Sequence, residues 1–249
     1  MSIAENLDRI LHQIADACRR AGRSTSDVQL MGVSKTHPAE AIDEAYTAGL
    51  RLFGENRVQE FQQKLPLIQC FAGPAYFYGA AQSGSPHAHL IGPLQSNKSA
   101  KAAQIFHSID TVDSLKLARR LNDAAASLNK QLTLLIEIKL SHEESKHGLE
   151  PSSPELAQLL EHLPDLKHLR PRGLMTVPPF SEDPEAVRPC FRQLRTLRDQ
   201  LAAAHPLLDF AELSMGMSHD FQIGIEEGST CVRIGTALFG QRPRPTSFL

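Results

Sequence analysis

Residues Leu30–Gly49 read LMGVSKTHPAEAIDEAYTAG. The stretch opens as a short apolar run, of the kind that suits a strand buried on both faces, and gives way after Pro38 to a helical pattern. Ser34 to His37 form a tight connection between the two, and Pro38 sits where a first-turn proline is tolerated. The unit is therefore strand, turn, helix, with a single lysine, Lys35, at the end of the strand.

The same alternation continues to the end of the chain. Eight strand candidates follow one another: VQLMGVS, RLFG, HAHLIG, HSIDTV, LTLLIEIKL, HLRPRGLMTV, FAELSMG and TCVRIGTALFG. Helical patterns lie between them, among them NRVQEFQQKL, SNKSAKAAQIF, DSLKLARRLNDAAASL, SPELAQLLEHL and DPEAVRPCFRQLRTLRDQLAAA. Eight βα repeats predict a single (β/α)8 TIM barrel spanning residues 1–249, with an open doubly wound sheet as the competing topology. The amino-terminal segment MSIAENLDRILHQIADACRRAGR adds an amphipathic helix with Ile3, Leu7, Ile10, Leu11 and Ile14 near one face. The least regular region, PLIQCFAGPAYFYGAAQSGSPHAH, predicts a long loop before the third strand.

Composition narrows the function classes. The 249 residues are 41% hydrophobic and 22% charged, with 26 basic and 28 acidic residues mixed along the chain. A formal net charge of −2 offers no general electrostatic grip on nucleic acid or on an acidic membrane, so any anion site is local. Cys18, Cys70, Cys190 and Cys231 form no CxxC pair, which suggests neither a zinc site nor a disulfide framework and fits the cytoplasm. No segment approaches the roughly 20 apolar residues of a membrane-spanning helix, nor does the amino terminus resemble a signal peptide.

Three features carry chemistry. Lys35 stands at the carboxyl end of the first strand, the face on which barrel active sites are built. An apolar strand partly desolvates such an amine, which favours its neutral form and Schiff-base formation with an aldehyde. The bland alternative is a solvated lysine. The second feature is a pair of Gly-containing loops after the last two strands, LSMGMSHD and VRIGTALFG. Loops in these positions cradle phosphate through backbone N–H groups. Ser218 adds a hydroxyl and starts the short helix SHDFQIGIEEG, while Gly235 and Thr236 supply the second wall. In a closed barrel, strands one and eight are neighbours, so the phosphate cradle faces the lysine.

The third feature is Arg233, inside an apolar strand. There it either pairs with an acid such as Glu137 or Glu55, or donates a hydrogen bond to a ring nitrogen, which it would hold unprotonated. Asn56 either caps the following helix or meets an aromatic hydroxyl. His142 and His147 lack the spacing of a helical metal site and are read as loop residues, with Lys146 and His147 near the barrel mouth.

The segments GVSKTHP, FGENRVQE, HLIGPLQSNK, SIDTVDS, EESKHGL, RGLMTVP, LSMGMSHD and GSTCVRIGTALFG resemble, in order and spacing, the pyridoxal 5′-phosphate (PLP) homeostasis proteins. These are built like the barrel domain of alanine racemase, the type III fold of PLP proteins. The resemblance runs from about Val28 to Gly240. It implies that Lys35 carries PLP as an internal aldimine and that Arg233 faces the pyridine nitrogen. It further implies that Ser218, Gly235 and Thr236 hold the phosphate, with Asn56 near the ring and Met175 packed on a ring face. It also implies a monomeric or weakly associated barrel that stores PLP and delivers it to PLP-dependent apoenzymes without substantial turnover. Ala88 departs from the family's usual aromatic, Lys139 from an asparagine common in the fifth strand, and the loop from Pro66 to His87 is longer than usual.

Two other readings use the same residues. A PLP-dependent racemase needs a second base from an additional domain, and nine residues after Gly240 leave no room for one. A Schiff-base aldolase would use the lysine and the phosphate loops, but it needs a proton relay beside the lysine and has no use for Arg233 at a ring nitrogen.

Overall fold

The structure, a computed structural model, describes residues 1–72, 84–141, 147–179 and 181–241. Eight parallel strands close into a barrel in chain order: β1 Gln29–Val33, β2 Leu52–Glu55, β3 His87–Leu90, β4 Ser108–Val112, β5 Leu132–Glu137, β6 Leu169–Met175, β7 Glu212–Met217 and β8 Cys231–Ile234. β1 pairs with β2 on one side and β8 on the other, so the ring is complete and the open doubly wound sheet is excluded. Every residue of β4 and of β8 is buried. Helices cover the outer face of such a strand and packed side chains fill the inner one, which is why these strands read as nearly continuous apolar runs.

The helices among the described residues are α1 Ile3–Arg20, α2 Ala39–Thr47, α3 Val58–Lys64, α4 Ser99–Ile105, α5 Leu115–Ser127, α6 Pro154–His162, α7 Arg188–Ala204, α8 Phe221–Glu226 and α9 Thr236–Phe239. α1 opens with a capping box between Ser2 and Glu5 and lies against α2, α8 and α9, outside the eightfold repeat. Its buried face is Leu7, Ile10, Ile14, Ala17 and Cys18, whereas Leu11 is turned to solvent. None of the described helices is long and apolar enough to cross a membrane, and all four cysteines are free thiols.

Two expectations need correction. The last strand stops at Ile234, and Thr236–Phe239 form a one-turn helix rather than a continuation of the strand. The irregular region before β3 begins with two turns of 3-10 helix, Leu65–Leu67 and Gln69–Phe71; its central part, 73–83, lies outside the described residues.

Candidate functional site

A cavity of about 580 Å³ opens at the carboxyl ends of the strands. It is lined by Lys35, Asn56, Ser218, Arg233, Gly235 and Thr236, which converge from β1, β2, β7 and β8 and the loops that follow them. A second cavity of about 580 Å³ lies among residues at the opposite ends of the strands, with Leu7, Gln29, His89 and Arg172 in its wall. Its arginines are already committed: Arg172 pairs with Asp209 and Glu212, and Arg51 bonds the carbonyls of Tyr46 and Leu50. Of these two cavities, the first is the one lined by a lysine.

Lys35 is held by its neighbours in the chain. Ser34 Oγ donates to Glu55 Oε1 at 2.8 Å, and the Ser34 carbonyl accepts from Lys64 Nζ at 3.1 Å. On the other side, Thr36 adopts a left-handed φ of 65° and its N–H donates to Glu60 Oε1 at 2.6 Å. A non-glycine residue keeps such a backbone only where its surroundings over-determine it. His37 then packs its ring 5.1 Å from that of Phe239. The turn is thus pinned to β2, α3 and α9. Pro38 is the residue before α2, with an extended backbone, and not part of its first turn. Behind the turn, Lys64 bonds Glu55 at 2.8 Å in a buried pair. Burial raises the Glu55 carboxyl, while Lys64 and the Ser34 hydroxyl pull it back down.

Ser218 does not start a helix. Asp220 precedes α8 and accepts from Met217 N at 2.6 Å, while Ser218 Oγ accepts from Gly235 N at 3.3 Å and Ala237 N at 3.5 Å. The hydroxyl therefore links the β7 and β8 loops and marks the point toward which two backbone donors converge. The β7 strand and the α8 helix that follows it approach closely because Gly216, at a φ of 95°, has no side chain; a Cβ there would lie 2.9 Å from Phe221 Cα.

Arg233 is buried and forms no ion pair with Glu137 or Glu55. It donates instead to Ser214 O at 2.7 Å, Ser214 Oγ at 2.8 Å and Thr176 O at 2.7 Å. Burial works against its charge, and the nearby groups Cys231, Asp110, Asp220 and Glu137 work for it. Three of its five N–H groups are spent on holding the plane still, which leaves the guanidinium fixed at the cavity wall.

Two buried oxygens of residues in this wall lack partners among the described residues, Asn56 Oδ1 and Glu137 Oε2. Asn56 does not cap α3: Arg57 holds that position, without a side-chain cap. Gly92, in the HLIGPLQSNK segment, lies against Asn56, where a Cβ would come within 2.3 Å of its carbonyl oxygen. Glu137 ends β5. Burial first, and Asp113 second, raise its carboxyl to about 7, against the pull of Arg233.

Six of the seven residues singled out in the sequence share this cavity. Met175 does not: it is fully buried, in register between Glu137 and Ser214, and the cavity wall at the end of β6 is Val177. The two-residue strand period explains the difference, since Val177 is the next residue on the same face. His147 lines the cavity, while His142 and Lys146 lie outside the described residues. Sequence reasoning missed Gly92 as a wall residue and gave Glu137 only as a partner for Arg233. The position of Glu137 at the end of the fifth strand was the available signal.

The family model described as alanine racemase, N-terminal domain, matches residues 6–243. A pyridoxal phosphate homeostasis protein of Aquifex aeolicus (strain VF5) is 43% identical over 242 residues, covering 97% of this chain and 99% of that protein. Among solved structures, PipY of Synechococcus elongatus PCC7942 with PLP bound superposes with a TM-score of 0.80 at 38% identity, covering 96% of this chain and all of that one. An alanine racemase of Clostridium difficile 630 superposes with a TM-score of 0.70 at 17% identity, a likeness of fold, over 98% of this chain and 59% of the racemase.

Proposed function

The chain belongs to the alanine racemase N-terminal domain family and, within it, to the pyridoxal phosphate homeostasis proteins; from that premise we propose that it holds PLP on Lys35 and serves in vitamin B6 homeostasis. The observation that carries the reading is one cavity uniting a strand-end amine, a fixed arginine and converging backbone donors.

The residues present fit the cofactor. Ser218, Thr236 and the N–H groups of Gly235 and Ala237 would hold the phosphate. Arg233 would face the pyridine nitrogen, and its permanent charge would keep that nitrogen unprotonated. Asn56 and Glu137 each offer a buried polar atom with no partner among the described residues. When bound, the cofactor supplies an aldehyde that condenses with an amine, releasing water and giving a yellow chromophore. The clamp of Glu55, Glu60 and Lys64 around residues 34 and 36 fixes where the Lys35 side chain starts.

The relatives are named for homeostasis of the cofactor and not for a reaction, which supports a carrier over an enzyme. In this proposal the protein is a single barrel unit that acts as a monomer in the cytoplasm and passes PLP to PLP-dependent apoenzymes. One observation favours a second reading: Glu137 provides the carboxylate that a Schiff-base aldolase needs in its relay.

Colour separates the two. Purified protein incubated with PLP should show a long-wavelength band that borohydride bleaches, leaving a phosphopyridoxyl group on the peptide containing Lys35. Lys35→Ala should abolish both band and adduct, and Ser218→Ala or Thr236→Ala should raise the dissociation constant for PLP by about tenfold, the scale of one lost charge-assisted hydrogen bond. A protein that stays colourless with PLP and is trapped by borohydride with a phosphorylated sugar would be the aldolase.

A further inference from the structure

Glu137 closes the wall of the cavity from β5, four strands around the ring from the strand that carries Lys35. It is 7% exposed, and its Oε2 has no hydrogen-bond partner among the described residues. The charged and titratable groups about it come from several elements: Asp113 between β4 and α5 and Arg233 in β8 act on it directly, while Lys35 after β1, His147 beyond β5 and His219 after β7 share the cavity lining. None closes an ion pair with it among the described residues. A buried carboxyl oxygen left without a partner is costly, and the residue that carries it lines the cavity, where a bound ligand would supply one.

We propose that Glu137, as the neutral acid, donates a hydrogen bond to the oxygen on the ring edge of bound PLP, and that its ionisation loosens the cofactor. The proposal rests on the cofactor reading above. A protonated carboxyl has one O–H to give, whereas a carboxylate only accepts and would face the anionic oxygens of the ligand at close range. The unliganded cavity already sets this group near 7, because burial and Asp113 oppose its charge more than Arg233 supports it. A bound anion that also expels water raises it further. Between the unliganded and liganded values the complex takes up a proton that the free protein lacks, so affinity falls as pH rises through that window. The limit is tenfold per pH unit.

The test is the dissociation constant for PLP at about pH 6 and about pH 8, read from the visible band, for the wild type and for Glu137→Gln. The amide is nearly isosteric, still donates a hydrogen bond, and does not titrate. Ionisations of PLP itself are common to both proteins and cancel in the comparison. The wild type should lose about three- to tenfold more affinity across this interval than the variant. A second variant, Asp113→Asn, removes the neighbouring charge and should move the wild-type fall to lower pH; it decides the matter should Glu137→Gln fail to fold. Equal pH slopes for the wild type and Glu137→Gln, with PLP bound in both, overturn this proposal and leave the cofactor reading standing. So does an Asp113→Asn curve that coincides with the wild type. A wild type that shows no band at either pH overturns the cofactor reading and this inference with it.

Discussion

Lys64 stands behind Lys35, and its Nζ bridges the carbonyl of Ser34, the Glu55 carboxylate and Glu60. Replacing it with methionine would leave Glu55, fully buried and with one oxygen already unpartnered, without its counter-charge. The expected cost is about 3 kcal/mol of folding stability in urea unfolding at neutral pH, because breaking one side of a buried pair strands the other. Burial raises the Glu55 carboxyl even with its partner present, and more so without it. The loss should therefore be smaller at about pH 5, where the carboxyl takes up a proton, than at about pH 8. A Lys64→Met protein whose deficit does not grow with pH would show that the pair adds little. The cavity-lining Lys35 and the buried Arg233 stand out in the sequence because each breaks a local rule, a charge at or inside an apolar strand. Lys64 was not, since a lysine near the end of an amphipathic helix looks solvated until the strand beneath it is known to carry Glu55.

Among the elements, β2 and β3 are brought together at their carboxyl ends by Gly92, whose missing side chain lets Asn56 sit against the strand exit. Gly92→Ala would push a methyl group into the Asn56 backbone, a contact with no flexible partner to yield. A loss of about 2 kcal/mol is expected on thermal or urea unfolding, together with weaker retention of PLP as Asn56 shifts. An alanine variant of unchanged stability and affinity would mean that the two strand ends slide apart freely. The eight strands were readable in outline because parallel strands buried on both faces leave short apolar runs between amphipathic helices. Their ends were harder to read. In TCVRIGTALFG the apolar content continues past Ile234, but hydrogen bonding changes to a helical turn, and composition alone does not mark that change. That Val177 and not Met175 lines the cavity was hard to read for a related reason, since choosing between them requires knowing where β6 ends.

For the whole molecule, the unliganded cavity imposes a pH dependence on folding. Glu137 is held near 7 in the folded chain, above the 4.5 of an exposed carboxyl. Between those values the folded state holds a proton that the unfolded chain has released, so this group's contribution to stability declines as pH rises from about 4.5 to 7 and is level above. Glu137→Gln removes that decline. With PLP stripped away, the variant should gain on the wild type by up to roughly 3 kcal/mol at about pH 8, and by little at about pH 5, in urea unfolding. A constant difference at both pH values would place the carboxyl in water. The barrel itself was legible from the count of repeats, but its closure was not. That depends on β1 finding β8, a pairing between residues some two hundred positions apart that no local pattern encodes. The same closure bears on synthesis. On the proposed reading the anchoring amine would belong to the first stave of the cask, and the arginine and phosphate donors to the last two, so a half-made polypeptide would have no saddle for the vitamin. Only a finished, correctly hooped copy would then turn yellow, and pigment would report completed manufacture as well as cargo.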